Sequence, residues 1–162
     1  MLRRSVQAIV DSGVASVIVV TGHEAEQVRA ALDGIDVAFV HAAGFAEGMS
    51  ASLKAGVGAV PAACAGVLIC LGDMPYVRPE SIRQIAESYD PADPWVAAVP
   101  VHQGRRGNPV LLGRPLFQEI TRLTGDQGAR GLLAKIQERV LEIAIDDPGV
   151  LRDIDRPEAL GG

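Results

Sequence analysis

Apolar residues recur along this chain at two spacings, helical and extended, that alternate from the first residues onward. Val6, Ile9 and Val10 share one face of a helix broken at Gly13, and residues 14–20 are a β-branched run ending at Thr21-Gly22-His23. Ala25, Val28 and Leu32 mark a second helix stopped by Gly34, residues 37–40 read as a strand, and Ser50 is placed to cap a helix running to about Val60. Residues 67–71 are apolar throughout and close abruptly on Gly72 and Asp73. A run that short and that apolar predicts a strand buried on both faces. Pro75 ends the turn after it, and Pro79 opens a helix with Ile82, Ile85, Ala86 and Tyr89 on one face.

The second half changes pattern. Residues 95–101 and 109–112 are two strands joined by Gln103-Gly104-Arg105-Arg106-Gly107-Asn108, which predicts a hairpin or a ribbon across the sheet. Leu116, Phe117, Ile120 and Leu123 form another amphipathic helix, Gly125-Asp126-Gln127-Gly128 separates it from a helix over 129–136, and residues 140–145 alternate as a strand near a sheet edge. The whole predicts an α/β fold of three-layer, Rossmann-like form: a mostly parallel sheet with helices on both faces. No internal repeat or linker divides it.

Composition narrows the class. At 162 residues, 48% hydrophobic and 22% charged, the chain is sized for a single domain over 1–162. A formal net charge of −5 without a basic stripe excludes a nucleic-acid backbone, so any nucleotide is a small-molecule ligand. Apolar runs break well before the ~18 residues that suggest a membrane span, and Leu2-Arg3-Arg4-Ser5 leads into an amphipathic pattern, not a signal sequence. Cys64 and Cys70 lack metal or redox spacing and read as reduced packing residues of a cytoplasmic protein.

Asp73 is the first candidate for chemistry. It follows the carboxyl end of an interior strand, the edge where open α/β sheets bind ligands, and an acid there can hold a hydrated magnesium ion against phosphates. A second reading makes it the cap of the following turn. His23, His41 and His102 have no partners at zinc-ligand spacing.

Five motifs in order then resemble the MobA-like nucleotidyltransferase family, and within it the molybdopterin cytidylyltransferases. They are Gly48-Met49-Ser50-Ala51-Ser52-Leu53, Leu71-Gly72-Asp73-Met74-Pro75, Arg106-Gly107-Asn108-Pro109-Val110, Thr124-Gly125-Asp126-Gln127-Gly128-Ala129-Arg130 and Asp153-Ile154-Asp155-Arg156-Pro157-Glu158. The resemblance implies magnesium-dependent nucleotidyl transfer from CTP to molybdopterin, with release of pyrophosphate. It implies Asp73 and Asp155 as catalytic residues, with Asp73, Asp153 and Asp155 around the metal. Gly48, Ser50 and Ser52 lie toward the nucleotide, and Arg106, Asn108 and Asp126 toward the acceptor.

Each of these has a plainer alternative in the residues themselves. Asp155 can cap a terminal helix beginning at Pro157 and Glu158, and Gly48 to Leu53 can be a capped helix without a ligand. Arg105 and Arg106 can be solvated hairpin residues, and Asp126 and Arg130 can end and start helices. The family's opening strand and glycine-rich triphosphate loop have no counterpart here. By analogy roughly forty residues precede Met1 in a full-length member, and the expectation is a misassigned start or a truncation. Lacking that strand, the two strands beside it have unpaired edges. Two other functions remain open: a related transferase using GTP or a sugar phosphate, and a catalytically incompetent accessory protein that binds the cofactor for a molybdenum hydroxylase.

Overall fold

The computed structural model describes residues 1–154, so Asp155 lies outside the described residues. Helix α1 (Leu2–Asp11) leads into β1 (Ile18–Thr21), α2 (Ala25–Ala31) into β2 (Ala38–His41), α3 (Met49–Gly58) into β3 (Gly66–Ile69), and α4 (Pro79–Glu87) into β4 (Ala97–His102). Then come β5 (Arg105–Arg106), β6 (Val110–Gly113), α5 (Phe117–Ile120), α6 (Ala129–Lys135) and β7 (Val140–Ala144). The elements follow the periodicities of the sequence, with ends displaced by a few residues. Helix α3, for example, has Gly48 rather than Ser50 at its N-cap.

The expected mostly parallel sheet is not what forms. β1 and β2 pair in parallel as a sheet of their own. The larger sheet runs β3-β6-β4, with β5 and β7 also on β4, and only its β4–β7 pairing is parallel. The cause is the reversal at Gln103 and Gly104, both at positive φ (48° and 76°), the conformation of a two-residue hairpin turn that matches strand twist. After β5 the chain returns as β6 between β3 and β4. Those two strands point the same way but never touch, because the antiparallel β6 separates them.

Helices do cover both faces. Val67, Ile69, Val99, Val110 and Leu112 pack toward α3, α5 and α6, whereas Leu68, Ala98, Leu111, Leu141 and Ile143 pack toward α1 and α4. This is the period-2 alternation of strands turned into two cores. No helix among the described residues is long and apolar enough to cross a membrane, and both cysteines are unbridged.

β3 departs from expectation in one respect. Its residues are half-buried rather than buried, although both faces are covered. The exposure is at the edge: among the described residues β3 pairs only with β6, and β1 only with β2. The two strands expected to flank an absent one therefore belong to different sheets. The Arg114 amide donates to the Ala65 carbonyl at 2.8 Å, and opposed residues of an antiparallel pair alternate between bonded and non-bonded. Val67 and Ile69 thus turn their backbone groups to β6, and Leu68 turns its own outward. In hydrogen exchange the Leu68 amide is expected to exchange about tenfold or more faster than those of Val67 and Ile69. Equal protection at all three would mean that this edge is covered.

Candidate active site

Past β3 the chain turns at Gly72 and Asp73, and α1 holds the turn in place. The Ser5 hydroxyl donates to the Gly72 carbonyl at 3.0 Å, and Leu2 packs so closely that a Cβ on Gly72 would lie 3.0 Å from its Cδ1. Asp73 is half-buried, and its Oδ1 is buried without a hydrogen-bond partner among the described residues. An unsatisfied buried oxygen costs about 1–3 kcal/mol, and more when charged. A cation at Oδ1 removes that penalty, so Asp73 fits a divalent metal better than it fits the cap of a turn.

The C-terminal segment runs against this turn. The Ile154 amide donates to the Asp73 carbonyl at 2.9 Å. Ile154 is buried and Asp153 exposed, with Arg152 in extended conformation. In an extended segment Asp153 therefore projects away from the core. Among the described residues no three His, Cys, Asp or Glu side chains cluster as a metal site, and Asp155 lies outside them. The start of β6 meets the same segment: the Asn108 amide donates to the Val150 carbonyl at 2.8 Å. A side chain on Gly107 would strike that carbonyl. Asp73, Asn108 and Asp153 thus come from three of the five motifs and converge on one stretch of chain.

Arg106 is tied to the sheet through one of its nitrogens. Its Nε donates to Glu142 Oε1 at 2.7 Å, a pairing across β5 and β7 that ties the hairpin tip to the sheet. Both side chains are exposed, so the pair is worth little in stability, and it engages Nε alone among the guanidinium donors.

Two further motifs meet each other. Gly48 has φ 119°, a conformation that favours glycine, and a Cβ there would collide with Gly125 and lie 2.7 Å from Asp126 Oδ1. The Ser50 amide donates to the Gly125 carbonyl at 3.0 Å, and Ser50 is buried. The loop before α6 thus takes up the Ser50 amide, which leaves it no free valence for a nucleotide. Ser52 is half-buried, and Asp126 is exposed on the rim.

One residue that organises the site was missed in the sequence. Asp147 is 2% exposed. Its Oδ2 accepts from the Arg78 amide at 2.9 Å and the Ser81 hydroxyl at 2.7 Å, its Oδ1 accepts from the Gly149 amide at 2.9 Å, and Arg78 Nε lies 3.5 Å away. Burial pushes its carboxyl up. The Arg78 amide, the Ser81 hydroxyl, the Gly149 amide and the Arg78 charge more than reverse this and hold it below the usual value. The signal was present: α4 begins Arg78-Pro79, and arginine cannot cap a helix, so its first amides need an acceptor from elsewhere.

Residues 1–140 match the family model of the MobA-like NTP transferase domain. Among solved structures, Rv0371c from Mycobacterium tuberculosis H37Rv is 31% identical, with 97% of this chain and 80% of that one covered at a TM-score of 0.79. The same protein in complex with manganese gives 30% identity, coverage of 97% and 82%, and a TM-score of 0.79. A nucleotidyl transferase from Methanothermobacter thermautotroptrophicus (Mth528) gives 27% identity, coverage of 97% and 75%, and a TM-score of 0.80. Comparison with curated proteins finds no match.

Because its folded value is depressed, the Asp147 carboxyl contributes stability that is fully present above its ordinary value near 3.8 and is lost as pH falls through the folded value. Asp147→Asn is expected to lower stability at neutral pH by roughly 2 kcal/mol and to flatten the loss of stability below about pH 4. Denaturant titrations across that range check it; an unchanged acid limb would contradict the assignment.

Proposed function

Because this chain belongs to the MobA-like NTP transferase family and is a nucleotidyltransferase, we propose that it catalyses magnesium-dependent cytidylyl transfer from CTP to molybdopterin in the cytoplasm. A phosphate oxygen of the acceptor attacks the α-phosphorus of CTP. The new P–O bond forms as the bond to the bridging β-phosphate oxygen breaks, and pyrophosphate leaves. Asp73, with Asp155 beyond the described residues, is the residue to hold the metal, and the exposed Asp153 stands at the outer side of the same segment. When bound, the ion supplies positive charge to the phosphate oxygens of the transition state. The Asn108 side chain orients the acceptor, and the Gly48 turn brings main chain close to the nucleotide.

The observation that supports this reading is the buried Asp73 Oδ1, which no donor among the described residues satisfies. The manganese complex of Rv0371c, 30% identical to this chain, agrees with a divalent ion. The motif Gly48-Met49-Ser50-Ala51-Ser52 favours the cytidylyl branch.

Asp73→Asn tests the metal role. Pyrophosphate release from CTP in the presence of magnesium and molybdopterin is expected to fall by roughly a hundredfold or more. Without added metal the variant should melt at the same temperature or higher, since it no longer buries an uncompensated charge, and the rise in melting temperature on adding magnesium should disappear. Retained transfer removes the metal role, and equal turnover with GTP removes the cytidylyl assignment.

A further inference from the structure

Two arginines gather beside the Asp73 turn at a place that no motif marks. Tyr76 follows that turn, and its ring is approached by the Arg152 guanidinium at 4.2 Å and the Arg4 guanidinium at 5.0 Å from the centroid. The two cations therefore lie within about 9 Å of each other, about one Debye length at physiological salt, so their repulsion is weakened but not abolished. Among the described residues neither forms an ion pair with a carboxylate. Tyr76 and Arg152 also line an open concavity with Arg78, Asp146, Asp147 and Gly149.

The carboxylates at this concavity attend to Arg78 and, among the described residues, leave Arg4 and Arg152 unmatched. Asp147 is met on every side by the donors already described, Arg78 included. Asp146 stands exposed, with its carbonyl accepting from Arg78. The floor is rigid: a Cβ on Gly149 would collide with the Tyr76 carbonyl, and the Gly149 amide is bonded to Asp147. Like charges are thus held together on a fixed scaffold, in a chain whose net charge is −5.

We propose that Arg4 and Arg152 form a phosphate-binding site around Tyr76, on the flank of the Asp73 turn. Guanidinium forks match phosphate oxygens bidentately, and the aromatic ring holds two of them poised without occupying their donors. Resting on the transferase reading, the phosphate is one carried by the acceptor or the pyrophosphate that leaves, held a few residues along the chain from the metal-binding carboxylates.

The test is titration of the metal-free protein with inorganic phosphate and, separately, pyrophosphate, followed by calorimetry and by the arginine Nε–H resonances. Saturable binding that shifts Arg4 and Arg152 is expected. Arg4→Gln and Arg152→Gln should each weaken it roughly tenfold. Arg152→Lys, which keeps the charge and loses the fork, should fall between. Tighter binding of phosphate assigns the site to a monoester acceptor, and tighter binding of pyrophosphate assigns it to the product. Asp73→Asn is expected to bind both anions as the unaltered protein does, which separates this site from the metal. Absence of saturable binding, or affinity unchanged in both glutamine variants, overturns the proposal even where Asp73→Asn has lost transfer. Retained transfer in Asp73→Asn would sink the metal role and leave the anion site standing.

Discussion

A carboxylate taken out of water must be met by donors on every side, and Asp147 is where this fold satisfies that demand. Helix α4 starts at a proline behind an arginine that offers no capping side chain, which leaves the Arg78 amide without a local acceptor. The Asp147 side chain arrives from the far end of β7 to supply one. The same carboxylate holds the Gly149 amide, so the chain leaving the sheet is fixed in direction for the next several residues. Val150 then receives the Asn108 amide, and Ile154 donates to Asp73. One buried charge therefore sets the path along which three separate motifs come to lie against one another.

The sheet decides where that path can open to a ligand. With β6 running back between β3 and β4, the end of β3 and the start of β6 stand side by side. The Asp73 turn and the Asn108 turn are consequently neighbours at the same edge. A purely parallel sheet would have placed the start of the next strand at the opposite end. The hairpin reversal at Gln103 and Gly104 is thus a requirement of the site as well as a feature of topology.

Much of this was legible from residues alone, and what was not has specific causes. The Val67 run, the helix behind Pro79 and the hairpin before Pro109 were readable because each rests on local spacing or on a residue with restricted backbone angles. The place of β6 between β3 and β4 was not, because the apolar pattern of a strand covered on both faces does not say which strands it pairs with. Asp73 stood out by its place after a strand, yet its unsatisfied oxygen depends on which donors fail to reach it, and no sequence records that. The pairing of Arg106 with Glu142 was not legible either, since the two are distant in sequence and nothing in the hairpin announces it. Asp147 was under-read for the converse reason. Its importance comes from helix α4, whose lack of a cap is a local fact with a distant remedy.

The contact between Gly48 and Gly125 has a consequence beyond geometry. These loops meet through main-chain atoms, with the Ser50 amide bonded to the Gly125 carbonyl and no room for a side chain on Gly48. Neither loop can shift without dragging the other, and the fit itself cannot be retuned by exchanging side chains. Diversification at this corner is therefore confined to its rim, where Met49, Asp126 and Gln127 remain exposed. Selection can repaint that surface while the frame beneath it stays the same.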